Sequence, residues 1–266
     1  MKITVVGATG QIGTQVVELL TAAGHHVTAA SRSSGVDAVT GDGVAAAMDG
    51  ADVVVDVLNS PTMEPGPAMD FFTGSATTLL TAAKKAAVKH YLVLSIVGVG
   101  SIEAEGYLRG KHLQEELVAN SGVPYTIVRA TQFHELTEAI AGSLLVDGEV
   151  HAPDALIQPI AAAEVAAVIA RVATETPRND VLNLVGPEQM SFADLARTVF
   201  AHQGKELPVV VDPQATYFGV AVRQNSLVTG DGAELGGTRL ADFLRQRDRL
   251  QQRRHGSQED TMPDAR

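Results

Sequence analysis

Short apolar runs alternate with amphipathic segments along the first half of the chain. Runs rich in β-branched residues predict buried strands, and apolar residues repeating every three to four positions predict helices. This alternation, with few polar residues inside the strands, is typical of an α/β protein with a doubly wound parallel sheet. The predicted strands are Ile3–Val6, His26–Ala30, Val36–Val39, Asp52–Leu58, His90–Ile96 and Tyr125–Val128, and the predicted helices are Ile12–Ala23, Val44–Met48, Ala68–Val88 and Gly106–Asn120.

The second half of the chain has a less regular pattern. It predicts strands at Leu156–Ile160 and Val181–Val185, a helix at Ala161–Ala173 and a further helix that begins after Ser191 and ends near His202. We therefore expect one Rossmann-like domain over residues 1–250, with a smaller C-terminal substrate lobe built from residues 131–157 and 186–238. Residues 251–266 are polar and aperiodic, which predicts a disordered tail.

Three glycines spaced by two residues lie between the first strand and the first helix. Gly7 permits a tight turn, Gly10 lets the backbone approach a phosphate, and Gly13 allows the helix to pack closely on the strand. The helix N-terminus then offers N–H donors to a pyrophosphate. The predicted phosphate-binding residues are Gly7, Thr9, Gly10, Gln11, Ile12 and Gly13.

Ser31, Arg32 and Ser33 follow the second strand, where a dinucleotide would place its adenine ribose. A carboxylate at this point favours NAD, and none is present. Arg32 can instead pair with a 2′-phosphate, while the serines add hydroxyl hydrogen bonds. The sequence thus favours NADP (NADPH) over NAD. Asp42 follows the third predicted strand and is either a contact of the adenine amino group or a turn residue.

The amino-acid composition argues against several kinds of catalytic and binding site. The 266 residues include no cysteine, which excludes a Cys nucleophile and Cys-ligated metal sites. The eight histidines form neither H-x-H nor H-E-x-x-H, so no metal site is expected, and no G-x-S-x-G elbow is present. A net charge of −11 argues against broad nucleic-acid binding.

Positive charge is concentrated near the C-terminus, where residues 239–254 contain six Arg and two Asp. Its apolar spacing predicts a helix with a solvated arginine face, and a patch for an acidic partner is the alternative. No apolar run is long enough to span a membrane, and the first residues lack a signal-peptide pattern. These features predict a cytoplasmic protein with no membrane partner, and they leave a homo-oligomer open.

Four stretches together resemble a known family. They are Gly7-Ala8-Thr9-Gly10-Gln11-Ile12-Gly13, Leu94-Ser95-Ile96-Val97-Gly98, Ser121-Gly122-Val123-Pro124-Tyr125-Thr126-Ile127-Val128-Arg129 and Thr131-Gln132-Phe133-His134. The combination resembles the short-chain dehydrogenase/reductases in their extended and atypical branch, above all the NmrA-like NAD(P)-binding proteins. The resemblance covers residues 1 to about 250, and it specifies the superfamily much better than the substrate.

Tyr107 and Lys111 form a Y-x-x-x-K and share one helix face. A tyrosine with its ordinary pKa of about 10 is a poor acid or base at neutral pH, and a nearby ammonium lowers that pKa. The family resemblance implies that Ser95 bonds the substrate carbonyl and Tyr107 exchanges a proton with it. It also implies that Lys111 holds the nicotinamide ribose.

Further candidates follow the later strands at the edge that should face the cofactor. Leu58 ends the fourth strand and is a further predicted cofactor residue; the loop Asn59-Ser60-Pro61 follows it, and the resemblance implies that the backbone of this loop runs along the nicotinamide ribose. Phe133 and His134 follow the sixth strand. Phe133 is interpreted as a wall of the substrate pocket or as core, and His134 as a substrate hydrogen-bonding group or as a partly exposed residue at a helix start.

The favoured function is NADP(H)-dependent oxidoreduction of a small carbonyl or alcohol substrate, by hydride transfer with Tyr–Lys acid–base chemistry. One alternative is a non-enzymatic NADP(H) sensor of the NmrA type that binds another protein. The other is a sugar-nucleotide epimerase or dehydratase, against which Arg32 and the short second lobe argue.

Overall fold

Strands and helices alternate through most of the chain in the computed structural model, which describes residues 1–102 and 105–259. The strands are β1 (Lys2–Val6), β2 (His26–Ala30), β3 (Val53–Asp56), β4 (His90–Ile96), β5 (Tyr125–Ala130), β6 (Leu145–Val146), β7 (Glu149–Ala152), β8 (Leu156–Ile157), β9 (Asp180–Val185), β10 (Met190–Ser191), β11 (Val209–Val211) and β12 (Glu234–Leu235). The helices are α1 (Gln11–Ala22), α2 (Val44–Met48), α3 (Pro65–Lys85), α4 (Tyr107–Ala119), α5 (Thr137–Ser143), α6 (Ala162–Val172), α7 (Phe192–His202) and α8 (Leu240–Glu259).

Seven strands form one parallel sheet in the order β12-β9-β5-β4-β3-β1-β2. The order reverses between β1 and β3, and parallel sheets bind ligands in the crevice outside the strand ends at such a point. The carboxyl ends meet there in register, since Val6 pairs with both Ala30 and Asp56.

The predicted strand Val36–Val39 is wrong, because this segment is a turn and β2 is the edge of the sheet. The Asp37 carboxylate accepts the backbone N–H groups of Val39 and Thr40. Those bonds turn the chain back on itself and remove the donors that a strand would need.

Helices cover both faces of the sheet. α1 and α6 pack together and bury Val16, Leu20 and Ile169 against one face. α2, α3 and α4 cover the other face, where Leu79 and Val118 lie in a second apolar cluster. The predicted fold class, a doubly wound Rossmann-like α/β sheet, is therefore confirmed.

A third apolar cluster forms a smaller C-terminal lobe. It joins α5 and α7 to a three-stranded sheet in the order β11-β7-β6 and to the antiparallel pair β10-β8. Phe192 and Ile157 are fully buried in it. Leu240 and Leu244 from α8 complete this cluster, so α8 packs on the lobe.

The Arg-rich segment is a helix, as its spacing predicts, but it runs as far as Glu259. α8 thus extends into the segment 251–266 for which the sequence predicts a disordered tail, and disorder of that tail stays a prediction. Residues 260–266 of that predicted tail lie outside the described residues. None of the helices in the described ranges has the length and hydropathy that a bilayer crossing requires.

Candidate cofactor and catalytic site

The glycine turn after β1 leaves no space for side chains at two of its positions. Gly7 has a φ of 87°, and a Cβ there would lie 3.0 Å from the Val57 backbone. A Cβ on Gly13 would lie 2.1 Å from the Gly7 carbonyl oxygen. Gly10 caps α1 in extended conformation, so the N-terminus of α1 opens directly beside the end of β1.

A cavity of about 420 Å³ lies at the switch point, outside the carboxyl ends of β1, β2 and β3. It combines the positive end of α1 with the Arg32 side chain, which suits an anionic dinucleotide. Six of the predicted cofactor residues line this cavity, namely Gly7, Thr9, Gly10, Ser31, Arg32 and Leu58. Its remaining lining is Val6, Ala30, Val36, Asp37, Ala38, Val39, Val57, Asn59, Pro61 and Phe71.

Several predicted cofactor residues do not line this cavity. Ile12 is buried in the core beneath α1. The Ser33 hydroxyl is hydrogen-bonded to Ser31, and Asp42 accepts the Thr40 hydroxyl. Gln11, Ile12, Gly13, Ser33, Asp42 and Lys111 are the six outside the lining.

An acidic residue does reach the cavity, but it is Asp37 and not Asp42. The turn that replaces the predicted third strand brings Asp37, Ala38 and Val39 into the lining of the cavity. Sequence reasoning missed Asp37 because it assigned that residue to a strand.

Tyr107 lies at the start of α4, and its hydroxyl donates to the Asn59 side-chain oxygen at 2.6 Å. Its ring packs edge-on against Phe72, with centroids 5.1 Å apart. Burial raises the pKa of Tyr107 to about 12, so the phenol keeps its proton at neutral pH. Asn59 lies far from Tyr107 in the sequence, and no local pattern indicates this pair.

Lys111 makes its hydrogen bonds to groups other than the Tyr107 hydroxyl. Its ammonium donates to the Leu94 carbonyl at 2.6 Å and to the Gln114 side chain at 2.7 Å, and only 4% of the residue is exposed. It also lies 4.8 Å from the centre of the Phe72 ring, so this ring contacts both partners of the Y-x-x-x-K. Burial lowers the pKa of Lys111 to about 8.

Asp56, at the end of β3, anchors a buried polar network that the sequence did not indicate. Its carboxylate accepts the Tyr91 hydroxyl and the Gln114 amide, each at 2.9 Å, and the Leu58 backbone N–H at 3.1 Å. Burial raises the pKa of this carboxyl. The bonds link Lys111 through Gln114 to the strand end that carries the cofactor cavity.

Ser95 lies on β4 opposite Arg129 of β5, and 3% of it is exposed. Its hydroxyl has no hydrogen-bond partner among the described residues. It lines neither the cofactor cavity nor the second cavity described below.

Phe133 and His134 also lie away from both cavities. Phe133 packs against the core cluster under α6, which agrees with its alternative interpretation as core. His134 is 2% exposed, and its ring is hydrogen-bonded to the Thr238 carbonyl and packs on Phe243. The interpretation of His134 as a partly exposed residue is therefore wrong.

A second cavity of about 410 Å³ is lined by Tyr107, and the Tyr107 hydroxyl links it to the first cavity through its hydrogen bond to Asn59. Tyr217 and Phe218 from the C-terminal lobe form part of its wall. Burial and the nearby Tyr107 raise the pKa of Tyr217, so both phenols are protonated. Throughout the described ranges, no group of three or more His, Asp or Glu side chains is arranged to hold a metal.

A doubly wound parallel sheet with a glycine turn and a helix N-terminus at its switch point defines a Rossmann-type dinucleotide-binding protein. The family model described as NAD(P)H-binding matches residues 7–176, and the chain belongs to that family. The NAD(P)-binding family that the resemblance implies is thereby confirmed, and the solved structures confirm its fold.

Curated relatives and solved structures agree with this placement. The chain is 33% identical to a (4-alkanoyl-5-oxo-2,5-dihydrofuran-3-yl)methyl phosphate reductase of Streptomyces griseus subsp. griseus over 71% of the chain and 69% of the relative. It is 29% identical to an NAD(P)H azoreductase of Xenophilus azovorans, over 78% and 76%. Its fold is similar to the NADPH-dependent quinone oxidoreductase QOR2 of Escherichia coli complexed with NADPH, with a TM-score of 0.61, 24% identity and coverage of 79% and 78%.

Proposed function

We propose that this protein is an NADPH-dependent reductase of small carbonyl compounds, with Tyr107 as the proton donor. The observation that carries the proposal is the position of Tyr107, a protonated phenol in the lining of the second cavity whose hydroxyl is bonded to Asn59 in the lining of the cofactor cavity. A substrate in the second cavity would have its oxygen beside this phenol and its reacting carbon toward the first.

The residues of the first cavity fit the dinucleotide. The absent Cβ atoms at Gly7 and Gly13 leave the α1 N-terminus open to a pyrophosphate, and Arg32 supplies a cation for a 2′-phosphate. When bound, NADPH would supply the hydride. The chain's own contribution is to hold it at the strand ends, and to place Tyr107 where a substrate oxygen needs a proton.

The surroundings of Tyr107 favour reduction over oxidation. Burial raises the pKa of Tyr107 to about 12, so the phenol holds its proton at neutral pH and the phenolate is scarce. The phenol is also a weaker acid than an ordinary tyrosine, so its proton moves only as the carbonyl oxygen gains negative charge from the arriving hydride. Alcohol oxidation would need the phenolate, and the Lys111 ammonium makes its hydrogen bonds to Leu94 and Gln114. The reductive activities in the names of the three relatives support the same direction.

Asn59 occupies the position that a substrate oxygen would take. The Tyr107 hydroxyl now donates to Asn59, so a carbonyl oxygen must replace Asn59 as the acceptor before proton transfer. Asn59 thereby keeps the phenol oriented between turnovers. It is a positioning residue in this proposal.

Tyr107→Phe tests the proposal, because it removes the proton and keeps the ring that packs on Phe72. We expect turnover of aldehydes, ketones or quinones to fall by about 10²–10⁴-fold, the usual loss for a general acid. NADPH affinity by calorimetry should be unchanged. Tyr125→Phe, on β5 and outside both cavities, is the matched control and should keep full activity. Equal turnover by both variants would remove Tyr107 from the mechanism.

A second candidate, an NADP(H) sensor without turnover, is favoured by one observation. Ser95 is buried, Lys111 bonds to the β4 backbone, and Tyr107 is bonded to Asn59, so the three expected catalytic side chains do not converge. Tight NADPH binding with no turnover of aldehydes, ketones or quinones would support the sensor over the reductase.

A further inference from the structure

The tip of the C-terminal lobe that reaches the second cavity is a tight turn with an unusual residue in it. Tyr217 and Val220 exchange both backbone hydrogen bonds, at 2.9 and 3.0 Å. The two residues between them, Phe218 and Gly219, have φ angles of 47° and 80°. Two successive positive φ angles favour Gly or Asn, and a bulky phenylalanine there is strained.

Nothing in the packing of Phe218 explains why the chain tolerates this strain. The residue is 46% exposed, so its ring is not buried in the core. It contacts Tyr217 at a centroid distance of 5.0 Å, and Tyr217 in turn packs on the buried Phe192. The turn is thus anchored on one side through Tyr217 and presents Phe218 to the cavity on the other. Strained residues of this kind cluster at ligand sites.

The second cavity is also unusually aromatic for this protein. The whole chain has four Tyr, seven Phe and no Trp, yet Tyr107, Tyr217 and Phe218 all line this one cavity. Met63 and Pro65 add apolar surface. Aromatic rings held near one another in this way favour a ligand with a planar ring, which gains edge-to-face or offset contacts.

We propose that the turn Tyr217–Val220 is the specificity wall of the substrate site and selects carbonyl compounds that carry a planar aromatic ring. The proposal rests on the proposed function. The ring of the substrate lies against Phe218 and Tyr217 while its carbonyl oxygen reaches Tyr107. In the reaction the carbonyl carbon gains a hydride from NADPH and the oxygen gains the Tyr107 proton. The products are an alcohol and NADP⁺, and Tyr107 regains a proton from water.

The test compares benzaldehyde with cyclohexanecarbaldehyde, which have the same reacting group on a planar and on a saturated six-membered ring. For the unaltered protein we expect kcat/KM to favour benzaldehyde by about tenfold or more, which corresponds to one good ring contact. In Phe218→Gly the ratio should fall to near one, mostly through a higher KM for benzaldehyde, with NADPH affinity unchanged.

The melting temperature of the Phe218→Gly variant shows whether Phe218 acts in substrate selection or in folding. Gly accepts the φ of position 218, so Phe218→Gly should keep or raise the melting temperature. Asp147→Gly is the matched control, because Asp147 has a φ of 50° in a turn that does not line the cavity. It should have the same effect on the backbone and leave the substrate ratio unchanged. A clear loss of melting temperature in Phe218→Gly alone would assign Phe218 to folding and overturn the proposal.

Two further outcomes distinguish this inference from the function on which it rests. Reduction of both aldehydes with a ratio that Phe218→Gly does not change would overturn the specificity wall and leave the reductase intact. Reduction of neither aldehyde by the unaltered protein, with tight NADPH binding, would count against the reductase itself.

Discussion

Arg32 is the residue that we propose selects between the two nicotinamide dinucleotides. It follows β2 directly and lines the cofactor cavity beside Ser31. One carboxylate, Asp37, belongs to that lining, and its Oδ1 accepts the backbone N–H groups of Val39 and Thr40. A guanidinium without a competing acidic partner can bind a 2′-phosphate through two parallel hydrogen bonds.

Arg32→Ala should therefore weaken NADPH binding and leave NADH binding nearly unchanged. Hydrogen bonds to charged groups contribute about 1.5–3 kcal/mol, so we expect the Kd for NADPH to rise by about 10- to 100-fold. Calorimetric titration with both dinucleotides measures this. Arg197→Ala on the exposed face of α7 serves as the control for loss of one positive charge. An equal loss of affinity for NADH and NADPH would show that Arg32 does not read the 2′-phosphate.

Among the individual site residues, the sequence could indicate those whose positions depend only on the local backbone. The glycines of the first turn and Arg32 belong to this group, because a strand, a turn and a helix fix their positions. Side chains brought together over long distances could not be found in this way. The Tyr107–Asn59 bond spans 48 positions and the Gln114–Asp56 bond spans 58, and both depend on the packing of α4 against α3 and β4.

The packing of α3 against α4 determines where Tyr107 and Lys111 point. Gly110 lies between them on α4, and a Cβ there would lie 2.9 Å from the Phe72 ring and 3.0 Å from the Met69 Cα. The two helices thus approach closely because this position has no side chain. Phe72 of α3 then fits against Tyr107 on one side and Lys111 on the other.

Gly110→Ala should separate the two helices and move the phenol. We expect a loss of about 1–3 kcal/mol in the free energy of unfolding, as is usual for overpacking, together with reduced turnover. Gly74→Ala in α3 is the matched control, since a Cβ at that position has nothing within 4 Å. It should raise stability by about 0.5–1 kcal/mol and leave activity unchanged. Urea denaturation measures both, and two stabilised variants would contradict the close approach of the helices.

Element prediction was most accurate where periodicity was strong and failed where side chains competed with the backbone. β1, β2 and β4 match their predicted ranges to within one residue. The segment Val36–Val39 has the composition of a strand, yet the Asp37 carboxylate folds it into a turn. The tip of the lobe carried no strand or helix pattern, and its role at the second cavity could not be predicted.

The Rossmann sheet and the C-terminal lobe are joined through α6 and the segment before α8. Glu164 of α6 accepts the backbone N–H groups of Gly237 and Thr238, at 2.8 and 2.9 Å. α8 then packs on the lobe through Leu240 and Leu244, and its Arg247 bonds both carboxylate oxygens of Glu138. Part of the arginine face is therefore used inside the molecule, which the composition alone did not indicate.

Because α8 completes the core of the lobe, Leu244→Ala should destabilise the whole protein and not only the helix. Leu244 is 1% exposed, and truncating such a residue costs about 2–5 kcal/mol. Leu250→Ala, six residues later and 53% exposed, should change stability by less than about 0.5 kcal/mol. Urea denaturation of both variants, followed by far-UV and near-UV circular dichroism, gives the two values.

The same experiment tests whether the lobe and the sheet unfold together. The bonds from Glu164 connect the two parts immediately before α8, so the far-UV and near-UV transitions of Leu244→Ala should coincide at a lower urea concentration. Saturating NADPH binds only the folded cofactor cavity and should move both transitions back upward. Two separate transitions in place of one would mean that the lobe unfolds apart from the sheet. In that case the wall formed by Tyr217 and Phe218 could loosen without loss of the cofactor site.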